Sequence, residues 1–278
     1  MSTIEFTAII GAGSLLAGFL GALTGLGGGV VVVPMLTLLF HVDIHYAIGA
    51  ALVSVIATSS GAAAAYVREG YSNIRVGMFL EIATTMGALA GAALVLYLHP
   101  SLIAVIFGVV LMYSAYASIR EGPHATKDMG PDRIATWLRM DSTYPVGGKL
   151  ESYHVRGVPL GFLLMFVAGV LSGLLGIGSG AVKVLAMDNA MKLPFKVSTT
   201  TSNFMIGVTA AAGSGVYLSR GYIDPGLAMP VMLGVLAGSL TGARVLARMQ
   251  VRILRMVFAG VIAALAIEMV YSGLKGTI

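Results

Sequence analysis

Gly18 to Gly29 reads GFLGALTGLGGG, and Gly169 to Gly180 reads GVLSGLLGIGSG. The two stretches lie 151 residues apart, and Gly18, Gly25, Gly27 and Gly29 fall on Gly169, Gly176, Gly178 and Gly180. Each stretch sits inside a long uncharged run. The first run, Phe6 to Phe40, would be roughly 50 Å long as one straight helix, against a bilayer hydrocarbon core of about 30 Å. The run must therefore break, and its glycines mark the place. The chain reads as two copies of one membrane unit, each built around a glycine break.

Composition supports a membrane protein: 57% of the 278 residues are apolar and only 10% are charged, where soluble domains carry about a quarter. Without cysteine, disulfides and thiolate metal sites are excluded. The net charge of +5 does not point to nucleic acid, because the basic residues lie between apolar runs, where they orient a chain in a bilayer. Met1 to Phe6 carries Glu5 and no basic residue, so it does not read as a signal peptide.

The expected segments of the first half are about 6–24, 28–40, 46–67, 76–98 and 101–119. Those of the second are about 158–175, 179–191, 197–218, 226–246 and 253–274. With a constant shift of 151, Tyr66 falls on Tyr217, Gly70 on Gly221, Gly87 on Gly238, Gly91 on Gly242 and Phe107 on Phe258. The halves are thus 1–119 and 157–278. Between them, 120–156 holds six Lys or Arg, Trp137, Pro123, Pro131 and Pro145, and reads as a water-exposed connection.

Lys and Arg collect on the cytoplasmic side of short loops. If each glycine-rich run folds back as a hairpin, re-entrant or spanning, each half crosses an odd number of times and the repeats are inverted. With the 120–156 loop inside, that arrangement puts fifteen of the 17 basic residues inside, leaving Arg220 and Lys275 outside. One broken crossing per run gives parallel repeats and only ten inside. The expected fold is an all-α polytopic membrane protein of two inverted five-segment repeats, with both termini outside.

Further signatures recur in order. A small and polar stretch opens the third segment (AIGAALVS from Ala47, STTTSN from Ser198), followed by a Tyr and Gly-Tyr turn (YVREGY from Tyr66, YLSRGY from Tyr217). With the glycine breaks, these resemble the sulfite exporter TauE/SafE family, also called the toluene sulfonate uptake permeases. The resemblance covers nearly the whole chain apart from the central loop. It implies an integral membrane permease for sulfite, sulfonates and related sulfur-containing organic anions. Ser179 stands opposite Gly28 and Leu185 opposite Pro34, so a site between the halves is expected to be asymmetric.

The candidate site follows from the breaks. Unwound helix at Gly25, Gly27, Gly28 and Gly29, and at Gly176, Gly178, Ser179 and Gly180, would aim free N–H groups and positive helix ends at one place, as broken helices do in inverted repeats. Close helix packing is the alternative use of GxxxG spacing, and it is the reading for Gly87/Gly91 and Gly238/Gly242. Lys183, three residues after the second break, could supply positive charge to an oxyanion or snorkel to the surface. Thr201, Ser202 and Asn203 offer donors, or helix-to-helix hydrogen bonds. Glu81 is a candidate for carrying a coupling proton; Glu268 is the other acid placed inside a helix. Arg244, Arg248, Arg252 and Arg255 read as a face toward anionic lipid.

No GxxxxGK[ST], HExxH or GxSxG motif occurs, and the histidines lack metal spacing, so no enzyme, cofactor or metal is expected. The reading is a secondary transporter of the cell membrane, moving small sulfur-containing anions such as sulfite or sulfoacetate by alternating access. Its energy would come from an ion gradient or from the substrate's own gradient. An anion channel, or a permease for another small organic or inorganic anion, is the alternative. The expected partners are the anion and the bilayer, with a second copy of the chain left open. Single cysteines introduced near Met1 and into 120–156 should label from opposite sides of the membrane; labelling from one side would exclude the inverted arrangement.

Overall fold

The structure is a computed structural model, and it describes residues 3–24, 28–68, 72–119, 132–146, 149–246, 251–276 and 278. Among these, the first half forms α1 (Thr3–Thr24), α2 (Gly29–Pro34), α3 (Ile44–Arg68), α4 (Ile74–Val95) and α5 (Pro100–Ile119). The second forms α7 (Val158–Leu175), α8 (Gly180–Leu185), α9 (Phe195–Ser219), α10 (Pro225–Leu246) and α11 (Val251–Lys275). Between them lie α6 (Arg133–Trp137) and an antiparallel hairpin of β1 (Ser142–Val146) and β2 (Lys149–Tyr153). The protein is an all-α polytopic membrane protein. Ile74–Val95, Val158–Leu175 and Pro225–Gly242 are long and apolar enough to cross a bilayer.

The shift of 151 holds in the structure. The starts of α2, α3, α4 and α5, moved by 151, are the starts of α8, α9, α10 and α11. Details unforeseen from the sequence follow the same register. Both short helices run on into a π-helical turn, Met35–Leu39 and Ala186–Ala190. Each turn closes with one bond, Val42 N–H to Leu36 O (3.0 Å) and Leu193 N–H to Met187 O (3.1 Å). After each turn a non-glycine residue takes positive φ, His41 at 52° and Lys192 at 58°.

Each glycine-rich run folds back on itself. In the second half, Arg156 N–H donates to Met191 O at 3.1 Å, so the residues entering and leaving the hairpin meet. A Cβ on Gly157 would stand 2.6 Å from Ala190 O. At the equivalent place in the first half, the rings of Phe6 and Phe40 meet edge to face at 6.0 Å. The eleven residues of Gly180–Ala190 rise roughly 16 Å, about half the hydrocarbon thickness.

Packing between the halves is an exchange. α4 lies on α7, and α10 lies on α1. A Cβ on Gly87 or Gly91 would collide with the carbonyls of Phe166 or Val170, and one on Gly169 or Gly173 with those of Thr84 or Ala88. Gly238 meets the Leu15 carbonyl in the same way. These glycines let the backbones touch, the use small residues have where lipid removes the hydrophobic drive between helices. The expected packing role of Gly87, Gly91 and Gly238 agrees with these contacts. α3 also packs on α9, and α5 on α11.

The stretch expected as a solvated connection is folded from Asp132 onward. Asp132 caps α6 through Ile134 N–H. Ala135, Met140, Tyr153 and Val155 are buried against Val76, Leu80, Val158 and Val197. Apolar side chains of α6 and the hairpin thus cover the ends of α4, α7 and α9. Burial holds the Tyr153 phenol above its usual range, so this buried hydroxyl stays neutral.

Gly173→Leu tests the helix contact. Overpacking costs about 1–3 kcal/mol in an adaptable core, and a rigid backbone carbonyl adapts less. The variant is expected to lower the melting temperature of the purified protein clearly, while Gly215→Leu, with open space around it, leaves it near wild type.

Candidate functional site

The break of the second half is built from positive-φ residues. Gly176 (φ 69°) ends α7, Gly178 has φ 68°, and Ser179, a non-glycine residue, has φ 49° at the start of α8. Left-handed backbone is cheap for glycine and costly for serine. The last carbonyls of α7 need partners that lipid cannot supply. Tyr217 on α9 provides one, donating its hydroxyl to Gly173 O at 3.0 Å, and Gly176 N–H donates to Ser172 O at 2.9 Å.

The first break has different local geometry. Gly28 is right-handed (φ −66°), and its carbonyl accepts from Val31 and Val32 N–H at 3.1 Å each. Gly25 and Gly27 lie outside the described residues. The two breaks touch: a Cβ on Gly29 would stand 2.7 Å from Gly176 O and 3.0 Å from Val55 Cγ2. Gly28, Gly29, Gly176, Gly178, Ser179 and Gly180 are all buried.

Lys183 does not snorkel. It is fully buried, and its Nζ donates to Thr209 Oγ1 at 2.6 Å. The Thr209 hydroxyl stands 2.7 Å from Glu81 Oε1 and 2.9 Å from Met205 O. A hydroxyl has one proton to give and two lone pairs. Thr209 therefore accepts from the ammonium and donates to the carboxylate or to the backbone carbonyl. Thr85 also donates to Glu81 Oε1, at 3.3 Å. Glu81 Oε2 is buried with no hydrogen-bond partner among the described residues, and so is Ser179 Oγ.

The structure separates the donors that adjacency in sequence had grouped. Ser202 donates to Gly180 O at 3.3 Å, at the start of α8. Thr201 instead accepts from Asn73 N–H at 3.0 Å. Asn73 in turn caps α4 through Val76 N–H and donates from Nδ2 to Met140 O and the Tyr153 hydroxyl, both at 2.8 Å. Thr201 thus belongs to the junction with the β-hairpin. Asn203 is half-buried, and Glu268 is exposed on α11. The side chains of Arg244, Arg252 and Arg255 lie outside the described residues, as does Arg248.

Among the buried polar residues that the sequence did not single out are Thr209 and Asp188. Thr209 lies seven residues after Ser202, two helical turns along the same face, which was the available signal. Asp188 is buried in the second π turn, near Lys192. A turn position beside the hairpin end hides its depth from any periodicity count.

The sulfite exporter TauE/SafE family matches residues 10–269. The chain belongs to that family. Its relatives include the probable membrane transporter protein YunE of Bacillus subtilis, 28% identical over 94% of this chain and 96% of that one. YdhB of the same organism, also called a probable membrane transporter protein, is 29% identical over 83% and 84%. MJ0441 of Methanocaldococcus jannaschii, likewise a probable membrane transporter protein, is 25% identical over 91% of each chain. No solved structure matches significantly. The protein is an integral membrane transporter of the TauE/SafE family.

Gly178 gives a direct test of the break. A Cβ there would stand 2.8 Å from Ile206 Cγ2 at positive φ. Gly178→Leu is predicted to insert in the membrane and to lose transport by at least an order of magnitude. Normal transport by an inserted variant would remove the break from the site.

Proposed function

We propose that this transporter carries small sulfur-containing anions, such as sulfite, sulfoacetate or another sulfonate, by alternating access between the two glycine breaks. The observation that carries the reading is the contact of Gly29 with Gly176, with the fully buried Lys183 in the first turn after the second break, its N–H donating to Ser179 O at 3.0 Å. Each helix end is worth roughly half a positive charge. Two such ends, with the unpartnered Ser179 hydroxyl and the lysine ammonium, form a place suited to an oxyanion with several acceptor oxygens.

The repeats are read as inverted, with 120–156 in the cytoplasm. Support comes from the equivalent helices. On α3 and α9, Gly207 approaches Ser59 and Gly213 approaches Leu52, the pattern of an antiparallel pair. On α5 and α11, Gly108 approaches Ala266 and Gly273 approaches Ser101, again antiparallel. Helices related by an axis normal to the membrane would run the same way; an in-plane axis reverses them. The enclosure of the site suits alternating access better than an open pore, and energy comes from a gradient rather than from nucleotide.

The test is flux of labelled sulfite, sulfoacetate and taurine in reconstituted vesicles. Saturable uptake with counterflow is expected for at least one of the three. Conductance at channel rates would make the protein a channel, and flux of cations alone would end the anion reading.

A further inference from the structure

Lys183 and Glu81 come from different halves, and Thr209 joins them inside the protein. Taking an ion out of water costs several kcal/mol unless it is compensated. The two formal charges compensate each other, so the empty site carries no net formal charge. Other titratable groups described on or beside the elements around α4 include Arg75 at its own start, Arg139, Asp141, Arg156, Asp188, Lys192, Lys196, Tyr217 and Tyr153. The charge closest to Glu81 is that of Lys183, reached through the Thr209 hydroxyl.

This balance limits what the site can accept. An arriving monoanion that takes the ammonium as its partner leaves a buried site with one net negative charge. Adding a proton restores neutrality, and Glu81 has an oxygen for it. Oε1 is engaged by Thr209 and Thr85, whereas the buried Oε2 has no partner among the described residues. A carboxylate oxygen left bare in this way is a costly state, and a proton there removes the charge that makes it costly. Protonated Glu81 also releases its claim on Lys183 through Thr209, so the ammonium can turn to the anion.

We propose that Glu81 is the proton carrier of a one-to-one symport, in which each monoanion that binds beside Lys183 brings one proton onto Glu81 Oε2 from the same compartment. The loaded site, with Lys183 charged, Glu81 neutral and the anion bound, is neutral again, and so the loaded and empty sites cross equally. Coupling then needs no relay of distant residues, because anion and proton are linked by the charge of a single buried pair. The inference rests on the anion reading above.

Methanesulfonate and toluenesulfonate are suitable probes, since neither changes charge between about pH 6 and about pH 8. Calorimetric titration of the purified wild type in two buffers of different ionisation heat counts the protons taken up on binding. One proton per anion is expected, with Kd rising about tenfold per pH unit. In Glu81→Gln the proton uptake should vanish and the Kd should become flat with pH. Binding by the wild type without proton uptake would overturn the coupling and leave the anion reading standing, and this arm needs no variant to fold. Proton uptake that persists in Glu81→Gln would also overturn it, by placing the proton elsewhere. No binding of either sulfonate by the wild type would remove the sulfonate reading and the coupling with it.

Discussion

Backbone that leaves the helix inside a bilayer exposes amides and carbonyls that water cannot reach. The glycine breaks are where this protein accepts that cost, and much of the surrounding structure answers it. Tyr217 reaches from α9 to satisfy Gly173 O. Ser202, also on α9, donates to Gly180 O on the far side of the break. One helix therefore holds both sides of the second break, which explains why the polar stretch opening α9 and the tyrosine closing it occur in one segment. The side chains satisfying the break fix α9 against α7 and α8, and this places Thr209 over Lys183.

The helices that carry these groups have little freedom to move apart. α4 contacts α7 through backbone, with carbonyls seated on Gly87, Gly91, Gly169 and Gly173. Glu81 sits on α4, less than two turns before Gly87. A lysine on a hairpin of one half and a glutamate on a helix of the other can share a hydroxyl only if that contact is close, and a larger residue at Gly169 or Gly173 would separate the helices. The small-residue packing and the buried ion pair are therefore one arrangement.

Most of the architecture was legible from periodicity and spacing. Uncharged run length forced the breaks, and the shift of 151 predicted segments that the helices match to within a few residues. The π turns were not legible, since they differ from α-helix by one residue of bond register and carry no composition of their own. The folded part of the linker was hidden because its polar residues dominate its composition. Only contact reveals that Met140, Tyr153 and Val155 are buried. At the site, Lys183 and Glu81 stood out as charges in apolar segments, whereas Thr209 did not. Threonine is common in membrane helices, and its importance comes from which two residues it lies between.

The repeat also supplies an internal control for the charged pair. The counterpart of Lys183, Thr209 and Glu81 in the other half is Val32, Thr58 and Met232. Thr58 there turns to its own helix, donating to Ser54 O at 3.1 Å, and Val32 is fully buried. The equivalent helices therefore pack with valine and methionine in place of the lysine and the glutamate, so the fold does not require the ion pair. Replacing a buried ion pair by packed apolar residues is often neutral or stabilising, and this chain has that replacement in one copy only. Stability alone thus gives no account of why the second copy keeps a buried lysine and a glutamate with a bare oxygen. A glutamate that must gain and lose a proton as the site fills and empties does.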